Sequence, residues 1–497
     1  MVCVNYRVII MKIIDEMSSL VYANKIYEYN DICFGCSKWL NFINQRQVKE
    51  MKVLIFADVD ERLFFLLIAL LSTRSAYIPV DTKTPIERVN NIIEQAKPDI
   101  IVSSKKYGNY FLNKNVFFIE DYETLSNDIL FTNRWGEGIA YYIFTSGSTG
   151  KPKGVIIDKK AFQSFIIGTS KAVDMTDCQS ILCITSIAFD IFGLESIYAL
   201  NQGKKVFLAG EAQKKNPRLL KNFILENNID CIQMTPSRLR ILQYADPILQ
   251  SLQNVKTIIV GGEDFPIKLL SELQTKLHSR IYNAYGPSEA TIWVSYSELN
   301  ENEVNIGTPM HGTRFYVLNE SGAIVEDGSI GELYIGGNNL ARGYLSNEAD
   351  TKTKFIDSKI CKGRIYKTGD LCRKSNGKYY WMGRIDNQVK IRGYRIEMEE
   401  VEKVVIMYEG VTEAIVYLHK DEDITKQYLV AVVVPNERFD EVKYRKHLKT
   451  YLPEYMIPQC IRQMEKFPHT ISGKVDRKTI QQSIEDDGIE RRNENCE

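Results

Sequence analysis

Short apolar runs rich in β-branched residues recur through the first half of the chain and are separated by polar, helix-like stretches. MKVLIFA (51–57), PDIIVSS (98–104), QSILCIT (179–185), KKVFLAG (204–210), IDCIQMT (229–235) and VKTIIVGG (255–262) are the clearest. This alternation predicts βα units and largely parallel sheets covered by helices. Tyr142-Ile143-Phe144 reads as the end of one more buried strand. The most hydrophobic run, LFFLLIALL at 63–71, is far shorter than the roughly 18 apolar residues of a membrane span and predicts a buried helix. From about residue 304 the strands become shorter and hairpin signals appear, Asn376-Gly377 among them, so a β-rich subdomain is expected there. The last segment, QQSIEDDGIERRNENCE, is polar and expected to fray, and no repeat of 20–50 residues stands out.

At 497 residues the chain exceeds one hydrophobic core, so two or more domains are expected. Basic and acidic residues balance at 63 each, which removes the global field that would draw the chain to nucleic acid or an anionic membrane. Neither partner is expected. Arg7 and Lys12 interrupt the apolar N-terminus and no small-residue cleavage pattern follows, so the expected location is the cytoplasm. Ten cysteines are scattered, and the close pair Cys33 and Cys36 lacks a second pair to complete a zinc site.

The chemistry concentrates in a few stretches. YIFTSGSTGKPKGV (142–155) follows its apolar run with small residues able to turn sharply and present N–H groups and hydroxyls to an anion. It is not a P-loop, because only two residues separate Gly147 from Gly150 and Pro152 follows Lys151. A solvated flexible loop is the alternative. In YGPSEAT, Gly286-Pro287 forces a turn that exposes Tyr285 and Glu289, to a ligand or only to solvent. The carboxylate of Asp370 in YKTGDL can accept hydrogen bonds from two vicinal hydroxyls such as those of ribose. Asp190 sits in the otherwise apolar IAFDIFGLES (187–196), where an ionised carboxylate is costly unless a cation joins it or it caps a helix.

IYNAYGPSEATIW (281–293), GELYIGGNNLARGY (331–344), YKTGDL (366–371), GRIDNQVKIRGYRIEMEEVE (383–402) and ISGKVDRK (471–478) follow the first loop in order. Together they resemble the adenylate-forming superfamily, and within it the amino-acid adenylation domains of nonribosomal peptide synthesis, from about residue 20 to 480. The resemblance implies an α/β fold in which a large N-terminal domain, 1–385, combines mostly parallel βα-layered sheets with the β-rich subdomain. A small, mobile α+β domain, 386–497, follows a hinge at Asp386. It implies an ATP-dependent ligase that activates an amino acid as aminoacyl-AMP, releases pyrophosphate, and passes the aminoacyl group to the phosphopantetheine thiol of a carrier protein. Thr145, Ser146, Gly147, Ser148, Thr149, Gly150 and Lys151 would hold the phosphates. Gly262, Asn283, Ala284, Tyr285, Asp370 and Arg384 would hold adenine and ribose, and Glu289 a Mg²⁺ ion. Lys474 would be the catalytic cation, offsetting charge as the substrate carboxylate attacks the α-phosphorus.

The same resemblance assigns the substrate pocket to Asp190, Ile191, Leu194, Gln233, Ile259, Gly261, Ala284, Ile292, Trp293 and Lys474, with Asp190 pairing the α-ammonium. Their order, D-I-L-Q-I-G-A-I-W-K, is similar to a glycine signature, D-I-L-Q-L-G-L-I-W-K, departing at Ile259 and Ala284. Trp293 and the branched aliphatics would fill the space of a side chain, while Ala284 leaves alanine as the nearest competitor, since one methylene is discriminated by only about 1–3 kcal/mol. No HHxxxDG segment is present and few residues follow Lys474, so a stand-alone enzyme is expected, with a carrier protein in trans and an MbtH-like accessory protein as a further partner. A D-alanyl carrier protein ligase would share Asp190. An acyl-CoA synthetase is disfavoured by Asp190 and Gln233, and a non-catalytic scaffold by Lys474, Glu289 and Asp370.

Overall fold

The computed structural model describes residues 11–494 apart from 148–149, 301–302, 359, 361–362 and 472, and side chains up to 485. Two compact units divide them. The first comprises Met1–Thr82, Ile92–Phe144 and Lys153–Asp386. In its seven-stranded sheet Lys52–Phe56 pairs in parallel with both the central strand Ala76–Pro79 and Ile100–Ser103. Those neighbouring strands are buried at every position, which is why the runs read as continuously apolar. The run at 63–71 lies within helix Glu61–Ser72, whose residues Leu63–Leu71 are all buried. Asp60 caps this helix by accepting from the N–H groups of Arg62 (3.0 Å) and Leu63 (3.3 Å). Among the described residues no helix is long and apolar enough to cross a membrane.

Strands Ser180–Cys183 and Lys205–Leu208 pair in parallel in a four-stranded sheet. Cys231–Met234, Thr257–Gly261 and Arg280–Tyr285 form the parallel part of a five-stranded sheet that turns antiparallel at Ser295–Glu298. Thr313–Leu318, Ile330–Gly337 and Arg364–Ser375 lie adjacent in a separate five-stranded sheet that is antiparallel throughout. Arg364–Ser375 turns back into Lys378–Arg384 through Asn376 (φ 51°) and Gly377 (φ 80°). Two successive left-handed residues are what a two-residue hairpin turn requires, and Asn-Gly supplies them with least strain.

The second unit gathers Asn387–Glu497 with two short stretches, Lys83–Asn91 and Thr145–Pro152. Val411–His419, Tyr428–Pro435 and Cys460–Gln463 make its three-stranded sheet, packed with helices Met398–Ile406 and Glu441–Tyr451 around Val401, Val405, Val433, Tyr444 and Leu448. Two buried carboxylates on the first helix are paired: Glu400 with Arg88, and Glu402 with Arg477, whose guanidinium donates to both of its oxygens at 2.5 and 2.7 Å. Pairing of this kind is what makes a buried charge tolerable.

Cys33 and Cys36 are free thiols on helix Tyr29–Gln45, both pushed up in pKa by burial. Among the described residues no group of histidine, cysteine and acidic side chains is placed to hold a metal.

The first unit also buries a lysine. Lys159 is 1% exposed, and its Nζ donates to the carbonyls of Leu70 (3.1 Å), Ser75 (3.1 Å), Glu137 (3.4 Å) and Thr73. Burial pushes its pKa down from 10.5 to about 7. Between those two values the unfolded chain holds a proton that the folded one releases, so this group makes stability rise as pH goes from about 7 to 10.5. Lys159→Met should flatten the urea-unfolding free energy of the protein across that window, and an unchanged slope would show that the carbonyl cage keeps the ammonium charged.

Candidate active site

The pocket predicted from sequence is assembled by strand ends. Register pairs Gly261 with Ala284 and Gln233 with Ile259. A Cβ at 261 would lie 2.8 Å from Cη2 of Trp293 and 2.7 Å from the Ala284 carbonyl, so only glycine fits between them. A Cβ at 262 would stand 4.0 Å from Cδ1 of Ile191, and one at 193 only 3.0 Å from Cδ1 of Ile292. Ile191, Gly261, Ala284, Ile292 and Trp293 are thus brought together from three separate stretches of chain. Ile259, Leu194 and Gln233 are buried. Leu194 opens a π-helical turn, Leu194–Tyr198, a feature concentrated at functional sites. Thr291 (φ 63°) and Ile292 (φ 69°) are β-branched residues in the left-handed region, a strain that persists only where the surroundings impose it.

Asp190 stands where this pocket needs a charge. The Ser288 side chain and the backbone of Ile191 and Ile292 nearby favour its ionised form. Oδ2, however, is buried with no hydrogen-bond partner. Burial raises the pKa of Asp190, and the nearby Glu289 charge raises it further. Nε2 of Gln233, Nε1 of Trp293 and the hydroxyl of Tyr141 are also buried and unsatisfied. Burial first, and then the Asp190 charge, raise the pKa of Tyr141 and its ring neighbour Tyr77, whose centroid lies 5.3 Å away. Native interiors leave few such atoms unpaired, and several around one apolar pocket mark a place for a polar ligand. Sequence reasoning missed Tyr141; the signal was a phenol in an otherwise apolar strand.

A second cluster surrounds Asp370, which is 6% exposed. The hairpin register places Asp370 opposite Arg384, and NH1 of Arg384 donates to Oδ1 at 2.8 Å. Nε1 of Trp381 donates to the same oxygen at 3.0 Å, and the Tyr285 hydroxyl donates to Oδ2 at 2.6 Å. Arg384 also grips Asp386 with two further bonds, at 2.6 and 2.7 Å. One guanidinium therefore joins the expected ribose carboxylate to the expected hinge aspartate. A carboxylate offers about four acceptor directions, so three donors leave one open. The pKa of Tyr285 is pushed well up by burial and by Asp370. Trp381 was not anticipated, because its hydrogen bond depends on cross-strand placement.

Glu289, 1% exposed, accepts at Oε1 from the Tyr344 hydroxyl at 2.8 Å. Asn283 gives its side-chain N–H to the Asn305 carbonyl at 2.8 Å, and Gly262 takes φ 88° at the end of its strand. In the second unit, the N–H of Gly147 donates to Oε2 of Glu400 at 3.0 Å and the Ser146 hydroxyl to the Arg395 carbonyl at 3.0 Å. The loop's N–H thus receives an anionic oxygen, here a carboxylate. Thr145 ends strand Ile139–Thr145, Gly150 adopts φ 82°, and Lys151 is exposed. Ser148 and Thr149 lie outside the described residues. Lys474 is exposed, and its carbonyl accepts from the Thr470 N–H at 2.7 Å across a turn that needs the left-handed Gly473 (φ 79°).

Residues 27–345 match the AMP-binding enzyme family, and residues 400–474 match the AMP-binding enzyme C-terminal domain. The chain is 33% identical over 432 residues to a dimodular nonribosomal peptide synthase of Bacillus subtilis, covering 83% of this chain and 18% of that protein. It is 31% identical over 480 residues to gramicidin S synthase 1 of Brevibacillus brevis, covering 93% and 42%. The chain thus spans less than half the length of these relatives. A solved four-domain nonribosomal peptide synthetase bound to AMP and glycine superposes with a TM-score of 0.67 at 29% identity, over 93% of this chain and 35% of that one. The Vibrio cholerae adenylation domain AlmE, in complex with glycyl-adenosine-5'-phosphate, superposes with a TM-score of 0.82 at 22% identity, over 95% of each chain.

The contact at Gly261 yields a stability test. Gly261→Ala should cost about 1–3 kcal/mol in urea denaturation, as overpacking against an aromatic ring does. In a Trp293→Phe background the cost should shrink without vanishing, since the Ala284 carbonyl still opposes the new methyl. Strict additivity of the two substitutions would mean that the indole yields freely.

Proposed function

This chain belongs to the AMP-binding enzyme family and is an adenylate-forming ligase, and we propose that within it the pocket around Asp190 activates a small α-amino acid, glycine first. The observation that carries this reading is Oδ2 of Asp190, a buried carboxylate oxygen with no partner. Such an oxygen favours a cation, and the α-ammonium of an amino acid supplies one. A fatty or aryl acid brings none. Trp293, 2% exposed, and Ile292, 1% exposed, fill space that a larger side chain would need, which supports recognition of glycine by exclusion. The synthetase at 29% identity holds AMP and glycine, in keeping with this. Ala284 is smaller than the leucine of the glycine signature, so alanine of either hand is the nearest competitor.

In the proposed reaction the substrate carboxylate attacks the α-phosphorus of ATP, the bond to the β-phosphate breaks, and pyrophosphate leaves. The open acceptor direction on Asp370 suits a ribose hydroxyl, with Arg384, Trp381 and Tyr285 fixing the carboxylate. The ring of Tyr285 would lie against adenine beside Gly262, Asn283 and Ala284. Residues 145–151 would hold the phosphates, in keeping with the N–H of Gly147 receiving an anionic oxygen. Glu289 is a buried hard-oxygen donor, and one carboxylate together with substrate phosphates is the ligand set Mg²⁺ prefers. When bound, that ion would offset phosphate charge. Lys474 would bring the cation that the approaching anions require, from a domain that turns about Asp386 and begins there. The aminoacyl group would then pass to the phosphopantetheine thiol of a carrier protein, releasing AMP.

Amino-acid-dependent exchange of pyrophosphate into ATP tests the substrate. Glycine should give the highest kcat/KM in a panel of proteinogenic amino acids. Asp190→Ala should depress all of them together, because removing one partner of a buried pair costs about 3–5 kcal/mol. Trp293→Ala should instead lower glycine moderately and raise alanine and valine relative to it. Exchange supported only by a fatty or aryl acid would overturn the assignment.

Lys474→Ala should slow adenylate formation roughly a hundred- to thousandfold, the usual loss for one electrostatic contact to the transition state, with ATP affinity little changed. Transfer from preformed aminoacyl-adenylate to a carrier should remain near normal. Wild-type exchange in this variant would remove the lysine from the mechanism.

A further inference from the structure

The segment that presents Asp190, Ile191 and Leu194 leaves strand Ser180–Cys183 and runs into the π-helical turn Leu194–Tyr198. One side chain ties its two ends. Glu195, 0% exposed, accepts at Oε2 from the N–H groups of Ile184 and Thr185, both at 2.8 Å, and at Oε1 from the Thr185 hydroxyl at 2.6 Å. Between those ends the Ser186 hydroxyl donates to Oδ2 of Asp81 at 2.6 Å. Other bonds stay inside the loop: Phe189 N–H to Ser186 O at 3.0 Å, Phe192 N–H to Phe189 O at 3.1 Å and Gly193 N–H to Asp190 O at 2.8 Å. They shape successive turns. Glu195 and the Ser186–Asp81 contact are polar anchors of this loop.

We propose that Glu195 is a positioning residue for the amino-acid site, closing the 184–195 loop so that the Asp190 carboxylate and the apolar side chains beside it keep one geometry. The proposal rests on the assignment of Asp190 to the substrate ammonium. A fully buried carboxylate is an expensive way to fill a core position, and burial raises the pKa of Glu195 even against its three donors. A clamp gives that cost a function, because no apolar residue accepts from two successive N–H groups and a hydroxyl at once. On the approach to the π turn, both Leu194 and Glu195 send their N–H toward the Ile191 carbonyl, three and four residues back, at 2.9 and 3.3 Å. The Glu195 carboxylate thereby faces the end of strand Ser180–Cys183. Geometry matters here because misplacing a binding group by about 1 Å can cost roughly a hundredfold in rate.

The test compares Glu195→Ala, Glu195→Gln and Ser186→Ala with the wild-type chain. Backbone hydrogen exchange over residues 184–195, measured without substrate, should accelerate in Glu195→Ala. In pyrophosphate exchange that variant should raise KM for glycine roughly tenfold while leaving KM for ATP within about twofold, and should narrow the preference for glycine over alanine. Glu195→Gln keeps a carbonyl oxygen for the two N–H groups and should recover most of both effects. Glycine and ATP KM rising together, or neither rising while the melting temperature falls, would reduce Glu195 to core support and overturn the proposal. Should Glu195→Ala fail to fold, Ser186→Ala removes the other anchor: a several-fold rise in glycine KM alone supports the clamp, and no change overturns it. If wild-type protein shows no amino-acid-dependent exchange, the Asp190 reading falls. Loop protection still decides the clamp then, faster hydrogen exchange in Glu195→Ala supporting it and unchanged exchange rejecting it.

Discussion

A buried carboxylate oxygen without a partner, Oδ2 of Asp190, is the constraint around which the first unit is arranged. Burial already raises the pKa of Asp190, and the charge of Glu289, itself 1% exposed, raises it again. Two neighbouring buried carboxylates are stable as anions only when positive charge reaches them, and each implies its own kind. The apolar pocket at Asp190 suits an organic ammonium, while the hard oxygens of Glu289 suit a metal ion carried with phosphates. The proposed substrates would bring that positive charge.

Holding such a site open requires rigid surroundings, and they come from backbone more than from side chains. Thr291 and Ile292 accept left-handed conformations, and Gly261 leaves room for the Trp293 ring against Ala284. The ribose cluster follows the same logic. Hairpin register sets Arg384 opposite Asp370, and the same guanidinium reaches Asp386. Substituting that arginine would disturb the Asp370 cluster and the end of the first unit together, so effects there should not be read as belonging to one residue.

Much of the architecture was legible because the parallel strands are buried on both faces. Largely apolar runs with β-branched residues at 52–56, 100–103, 231–234 and 257–261 announce such strands. The hairpin at Asn376-Gly377 was legible because few residue pairs tolerate two successive positive φ values. The π-helical turn after Asp190 was not, since nothing in LESIY distinguishes it from an ordinary helix.

The sequence by itself determined the buried parallel strands, the apolar helix over 63–71, the small-residue loop at 145–151, and the presence of a carboxylate, Asp190, in a stretch too apolar to solvate it. Those are local properties, fixed by periodicity, turn chemistry and the cost of burying charge. Only the tertiary structure decided that Oδ2 of Asp190 stays unpaired, that Tyr141 joins it, that Trp381 and Tyr285 meet on Asp370, and that Glu195 ties the loop ends. Each of these depends on register and chain crossing between residues far apart in sequence or on a backbone turn. No local pattern encodes which donor an acceptor will find across a sheet.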